Sequence, residues 1–197
     1  RLLASSRPTV VFVSVRVRGG DVAKQLAMVL ADDPGSIRHV VEIGGKVGAG
    51  AIAYDDLRSG FNNRPLGAAR EIGLVLYSSG STSVPKGVAL INEDMLVNAA
   101  AIGDRIGIAG NDRLYVPMPF FWAMGGPNGM MTAFTHGATV VTSDQFSGAV
   151  ALQLIERERC TAIYTLPNMT RLMLDHPDFA PERVASLKRG ITVGAPT

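Results

Sequence analysis

The chain has 197 residues, and its 19 basic and 17 acidic side chains give a formal net charge of +2. A hydrophobic fraction of 47% with 18% charged residues is typical of a globular protein and excludes a disordered one. The sequence contains no dense basic run, which argues against a nucleic-acid partner. The single cysteine, Cys160, excludes an intrachain disulfide and indicates a reducing cytoplasm, with the thiol buried and inert.

The N-terminal part alternates strand-like and helical patterns. No apolar run approaches the roughly 18 residues of a transmembrane helix, and residues 1–6 are expected to lead straight into a strand rather than to form a targeting region. The β-branched run 9–17 predicts a strand, residues 21–30 a helix, and residues 38–43 a second strand. A loop region rich in glycine, aspartate and asparagine follows at 44–69, with a helical turn at 54–58.

Downstream, strands at 72–77 and 88–91 flank a polar loop, and Asn92 is expected to cap a helix at 93–108. Further strands are predicted at 113–117, 138–142, 161–166 and 189–193, and further helices at 128–134, 148–159, 169–174 and 181–186. Strands separated by helices imply an α/β fold with largely parallel, helix-covered sheets, in which the hairpin around the loop is an antiparallel exception. We divide the chain into an N-terminal α/β part at 1–70 and a second part at 71–197.

The loop between the hairpin strands concentrates the groups that bind a polyphosphate. It combines hydroxyl donors, glycines that allow close backbone approach, and one positive charge. These residues are Ser79, Gly80, Ser81, Thr82, Lys86 and Gly87. A Walker A loop is excluded by spacing, because Pro85-Lys86-Gly87 is followed by a strand-like run and not by a helix. The remaining alternative is a serine- and glycine-rich turn without a ligand.

Residues 77–87 closely resemble the signature Tyr-Thr-Ser-Gly-Ser/Thr-Thr-Gly-x-Pro-Lys-Gly of the adenylate-forming, or AMP-binding, superfamily. Ser78 replaces a threonine and Ser83 a glycine, which changes how the loop closes. The resemblance is to the acyl-CoA synthetase type and implies the large N-terminal domain of such an enzyme. It assigns catalytic roles to Lys86 and Thr82. It also implies that Ser79, Gly80, Ser81, Thr82, Lys86 and Gly87 bind the phosphates of ATP.

Two other segments resemble family sequences in the family's order. Residues 117–126 are similar to Pro-Leu/Phe-Phe-His/Trp-x-x-Gly-Gly, although aromatic residues and methionines also fill ordinary cores. This likeness, with the proline that ends the strand 161–166, implies a substrate pocket formed by Phe121, Trp122, Met124, Gly125 and Pro167. The terminal Gly194-Ala195-Pro196 resembles the segment that packs against adenine, with Val193 where the family has a smaller residue.

The resemblance implies an ATP-dependent acid–thiol ligase that forms an acyl-adenylate and transfers the acyl group to coenzyme A. A tryptophan at position 122, where histidine is common, favours an apolar fatty or alicyclic acid. The Mg²⁺ ligand and the mobile C-terminal domain are expected beyond residue 197, so these residues alone are expected to be inactive. A peptide-synthetase or siderophore-type adenylation domain is an alternative, and a non-catalytic nucleotide-binding fragment is another.

Overall fold

The computed structural model describes residues 2–14, 22–32, 34–44, 50–58, 70–78 and 85–194. The chain forms two compact units, Arg1–Leu66 with Ser81–Pro85, and Gly67–Gly80 with Lys86–Thr197. Within the described ranges, no helix combines the length and apolar character that crossing a membrane requires.

The first unit contains a three-stranded parallel sheet in the order β1-β2-β3. Its elements are α1 (Leu2–Ser6), β1 (Val10–Ser14), α2 (Val22–Asp32), β2 (His39–Ile43), β3 (Ile52–Ala53) and α3 (Tyr54–Arg58). The strands predicted at 9–17 and 38–43 and the helices at 21–30 and 54–58 are confirmed where described. Residues 2–6 form a short helix that the sequence pattern did not predict, from leucine, alanine and serine, and the expected strand follows at Val10.

The second unit contains the antiparallel hairpin and a four-stranded sheet whose strand order is β7-β6-β8-β9. All the pairings in that sheet are parallel, as predicted. Its elements are β4 (Ile72–Ser78), β5 (Lys86–Ile91), α4 (Asn92–Ile106), β6 (Arg113–Tyr115), a π-helix (Met124–Met130), α5 (Met131–Thr135), β7 (Thr139–Val141), α6 (Gly148–Glu158), β8 (Ala162–Thr165), α7 (Pro167–Leu174), a 3₁₀ helix (Pro181–Val184) and β9 (Arg189–Thr192).

Helices cover both faces of this sheet, because neighbouring residues of a strand point to opposite sides. Leu114 and Tyr164 belong to a core cluster that includes side chains of α4 and α5. Tyr115, next to Leu114, belongs to a second cluster with Leu152 and Ile155 of α6. Burial on both faces agrees with the complete burial of the adjacent residues Leu114 and Tyr115 in β6.

Two helix starts differ from the prediction. Asn92 is the first residue of α4, and the cap position is Ile91, which makes no side-chain cap bond. The Asn92 amide instead lies directly over Gly73 of β4, where a Cβ atom would overlap it. The helix expected at 128–134 begins earlier, as the π-helix Met124–Met130, which contains Pro127. Proline removes one backbone donor, and wide helical turns accommodate such an interruption.

Cys160 lies at the junction between α6 and β8, and its side chain is completely buried. Burial raises the pKa of its thiol to about 11. A thiol that stays protonated at neutral pH is a poor nucleophile. The expectation of a buried, inert cysteine is therefore confirmed.

Asp112 ties together the amino-terminal ends of three strands. Its carboxylate accepts hydrogen bonds from the Ala109 amide at 2.8 Å, the Thr161 hydroxyl at 2.6 Å and the Arg189 guanidinium at 3.2 Å. Burial alone would raise the pKa of Asp112, but the Thr161 hydroxyl, the Ala109 amide and the Arg189 charge together hold it below its ordinary value. The ionised carboxylate therefore stabilises the folded state.

We expect Asp112→Ala to lower the free energy of unfolding by about 2–4 kcal/mol at pH 7, because it leaves three donors without their acceptor. A carboxyl whose pKa is lowered by folding stabilises the fold above its unfolded pKa, and this contribution disappears as the pH falls through the folded value. Urea unfolding of the wild type and variant at pH 7 and pH 3 measures both effects. A difference that does not shrink below pH 3.8, the ordinary pKa of aspartate, would contradict this assignment.

Candidate active site

The hairpin fixes both ends of the predicted phosphate loop. The antiparallel register pairs Tyr77 with Gly87 and Ser78 with Lys86, so the signature begins and ends on facing residues. A Cβ atom at Gly87 would lie 3.2 Å from Val75 Cγ1 and 3.4 Å from Tyr77 Cε1, which shows how closely these side chains cover its backbone. Lys86 is exposed at the start of β5. Its ammonium therefore lies in solvent where the loop returns to the sheet.

The predicted phosphate-binding residues between these strands, Ser79, Gly80, Ser81 and Thr82, lie outside the described residues. So do Ala195 and Pro196 of the segment predicted to contact adenine. Of the predicted nucleotide-binding residues, the structure describes Lys86, Gly87 and Gly194. The roles assigned to the others remain predictions.

The segment between β6 and α5, which we call the aromatic loop (residues 117–126), is held by its own backbone. The Trp122 amide donates to the Pro119 carbonyl at 3.0 Å, and the Gly125 and Gly126 amides donate to the Trp122 carbonyl at 3.1 and 3.0 Å. A Cβ atom at Gly125 would overlap the Pro119 carbonyl, and one at Gly126 would overlap the Phe120 carbonyl. Both glycines are therefore required for the loop to turn this tightly.

The loop exposes its aromatic rings to solvent, including Phe120 at 39%, and two of them are at least half exposed. Phe121 is 73% exposed and Trp122 is 50% exposed. Their rings meet edge to face with centroids 6.1 Å apart. Met124, in contrast, packs partly buried against the core cluster of Val116, Met118 and Tyr164. The alternative of plain core packing thus fits Met124 but not the two exposed rings, which offer apolar surface to a ligand.

The structure brings Pro167 and Gly194 into contact at the carboxyl edge of the sheet. Pro167 is the first residue of α7, and Gly194 follows the end of β9. A Cβ atom at Gly194 would lie 3.0 Å from Cδ and 3.1 Å from Cγ of Pro167. Gly194 also has φ near +149°, a value that favours glycine. Pro167, predicted to line the acid pocket, and Gly194, predicted to bind adenine, are therefore in contact, and we call this pair the wall formed by Pro167 and Gly194.

Three threonine side chains near this edge were missed by the sequence analysis. Thr165 ends β8 and is fully buried, and its hydroxyl lies 2.9 Å from that of Thr170 and 3.0 Å from that of Thr192. The available signal was a threonine at the end of each of two strands that the pattern predicted to be parallel. Tyr164, one residue earlier, faces the opposite side of the sheet with α4 and α5.

The Tyr164 hydroxyl is buried and makes no hydrogen bond within the described part of the chain. Burial raises the pKa of this phenol, and the nearby Thr132 hydroxyl offsets this slightly without forming a bond of standard geometry. The Thr132 hydroxyl instead donates to the Ala99 carbonyl at 3.1 Å. A buried hydroxyl without a partner costs about 1–3 kcal/mol. Tyr164 is therefore neutral and contributes bulk to the core beneath Met124.

Relatives of the chain are acid–coenzyme A ligases by name. It is 32% identical over 155 residues to the mitochondrial medium-chain acyl-CoA ligase ACSF2 of Mus musculus, a match that covers 76% of this chain and 25% of that protein. It is 34% identical over 121 residues to the acyl-CoA ligase sidI of Aspergillus fumigatus, which covers 61% of this chain and 20% of that protein. The chain thus spans about a quarter or less of the length of these curated relatives.

The fold is that of a solved anthranilate CoA ligase, AuaEII, whose structure contains anthranoyl-AMP. The superposition has a TM-score of 0.83 with 21% sequence identity, and covers 97% of this chain and 37% of that one. The sequence profile of the family described as AMP-binding enzyme matches residues 1–197. This match extends over the whole hairpin, the aromatic loop and the edge formed by Pro167 and Gly194. The chain therefore belongs to the AMP-binding enzyme family.

Proposed function

We propose that the protein is part of an ATP-dependent acid–thiol ligase, which activates a carboxylic acid as acyl-adenylate and transfers the acyl group to coenzyme A. The observation that carries the proposal is the signature at residues 77–87. It begins and ends on paired strands of an antiparallel hairpin, and Lys86 is exposed at the start of the second strand. An ammonium and a row of hydroxyls at this position are suited to a departing pyrophosphate, which carries heavy negative charge.

In this proposal, Lys86 and Thr82 act in catalysis by stabilising the departing pyrophosphate, and Ser79, Gly80, Ser81 and Gly87 hold the triphosphate. The Gly194 to Pro196 segment packs against adenine, where the small residue at 194 allows a flat base to approach the backbone. ATP is expected to arrive with Mg²⁺. The described residues include no group of three histidine, cysteine, aspartate or glutamate side chains that could hold a metal ion.

The proposed substrate is an apolar acid, fatty or alicyclic, bound along Phe121, Trp122, Met124, Gly125 and Pro167. Its support is the exposed pair of uncharged rings and the apolar packing around Met124. Both curated relatives are named acyl-CoA ligases, which supports coenzyme A as the acceptor over a carrier protein. The single buried cysteine is compatible with a reducing compartment such as the cytoplasm.

The test is acid-dependent exchange of radiolabelled pyrophosphate into ATP, catalysed by the full-length polypeptide that carries this sequence. We expect exchange with fatty or alicyclic acids and little with amino acids, because a charged ammonium would have to lose its hydration against Phe121 and Trp122. Addition of coenzyme A should then yield the thioester. Exchange only with amino acids would favour the peptide-synthetase alternative, and absence of exchange from folded protein would favour the non-catalytic one. Residues 1–197 tested alone are expected to show no exchange.

A further inference from the structure

A row of three threonine hydroxyls, buried at its centre, joins three elements at the carboxyl edge of the four-stranded sheet. Thr165 is the last residue of β8, Thr192 is the last of β9, and Thr170 lies one turn into α7. The Thr165 hydroxyl lies between the other two, at 2.9 and 3.0 Å. It is 1% exposed, whereas Thr192 is exposed. The three hydroxyls therefore form a row on one face of the sheet, from the exposed Thr192 of β9 through the buried Thr165 of β8 to Thr170 of α7.

The hydrogen bonds of the three threonine hydroxyls can all be oriented in one consistent direction. The Thr170 hydroxyl lies 3.4 Å from the Leu166 carbonyl, to which it donates within the first turn of α7. Thr165 can then donate to Thr170 and accept from Thr192, so that all three protons have an acceptor. Only the central hydroxyl both accepts and donates between two elements. Its removal breaks both links at once and leaves the others partly unsatisfied.

The backbone adds to this connection. The Val193 amide donates to the Thr165 carbonyl at 3.1 Å, which extends the β8–β9 ladder by one residue beyond Thr192. The next residue, Gly194, contacts Pro167, the first residue of α7. Thr165 is thus bonded by its side chain to Thr170 of α7 and to Thr192 of β9, and by its carbonyl to Val193, the residue before Gly194.

We propose that Thr165 is a positioning residue of the ligase reaction, which sets the distance between the adenine-contacting end of β9 and the acid-pocket start of α7. The inference rests on the proposed function for the identity of these two subsites. Thr165 touches neither ATP nor acid, since its side chain is buried. It acts through Thr192 and Thr170, and it couples the placement of the nucleotide to that of the acid.

The test compares Thr165→Val, which keeps the shape and removes the hydroxyl, with Thr165→Ser, which keeps the hydroxyl. In the full-length polypeptide we expect Thr165→Val to weaken ATP binding in calorimetric titration about tenfold and to raise the KM for ATP in the exchange reaction similarly. Thr165→Ser should restore both values to within about threefold of wild type. Thr192→Val should weaken ATP binding as well, but add little in combination with Thr165→Val, because both changes break one network.

The matched control is Thr132→Val, which removes another buried hydroxyl bond, to the Ala99 carbonyl, on the opposite face of the sheet. It should lower stability without changing ATP affinity. Unchanged ATP affinity in Thr165→Val, or failure of Thr165→Ser to restore it, would overturn the inference while wild-type exchange still supports the function. ATP binding without exchange, weakened in Thr165→Val, would reject the ligase function and retain only the role of Thr165 in placing the nucleotide. A wild type that does not bind ATP would reject both.

Discussion

Lys86→Ala is expected to reduce acid-dependent pyrophosphate exchange by about 100- to 1,000-fold, the usual cost of removing one preorganised donor to a developing negative charge. Lys86 is exposed and opens β5 opposite Ser78, so its removal leaves no buried group unpaired. Stability should change by less than about 0.5 kcal/mol, as at other surface positions. Exchange at saturating acid, with a thermal melt of the same preparation, measures both quantities.

Lys188→Ala is the matched control. Lys188 is also an exposed lysine, and it lies just before β9, at the end of the sheet remote from Gly194. Its backbone amide, which donates to the Thr161 carbonyl at 2.9 Å, is unaffected by the substitution. We expect exchange within about twofold of wild type. If both lysine variants keep normal exchange, Lys86 is an ordinary solvated hairpin residue.

Gly126→Ala is expected to displace the aromatic loop. The added Cβ atom would overlap the Phe120 carbonyl, a backbone atom that no side-chain rotation can move away. We expect a loss of about 1–3 kcal/mol in stability and about 100-fold in exchange, because a shift of about 1 Å misplaces the pocket residues. The KM for the acid should rise more than the KM for ATP, since Phe121 and Trp122 are the groups that move.

Gly110→Ala provides the comparison for this variant. A Cβ atom at Gly110 would lie 3.5 Å from the His136 carbonyl and 3.8 Å from the Gly137 carbonyl, which is ordinary van der Waals contact. Stability and exchange should both stay close to wild type. A Gly126→Ala protein with an unchanged KM for the acid would show that the aromatic loop is not part of the substrate pocket.

The fold was readable from the sequence because its parallel sheet is covered on both faces. Runs such as 161–166 are rich in β-branched and aromatic residues. They alternate with helical patterns such as 148–159, and a helix between two strands implies a crossover connection and parallel strands. A prediction from residue type alone was wrong where a tertiary contact competes for the side chain. Asn92 has the right residue type for a cap, but Gly73 leaves space for its side chain, and the amide occupies that space.

The site was only partly readable for a related reason. Motif order identified the hairpin, the aromatic loop and the Gly194 segment, because each is a contiguous run of residue types. Gly126 was not singled out, since only the backbone geometry shows the Phe120 carbonyl next to it. The row of threonine hydroxyls was missed because Thr165 and Thr192 are 27 positions apart in the sequence.

The sequence by itself determined the α/β class, the antiparallel hairpin and the signature that leads to family membership, because periodicity and motif spacing are properties of contiguous residues. Only the tertiary structure decided that Phe121 and Trp122 face solvent, that Pro167 contacts Gly194, and that Thr165 joins β9 to α7. Those facts depend on the register between parallel strands and on the close packing of backbone against backbone. Residue type along the chain does not encode either of them locally.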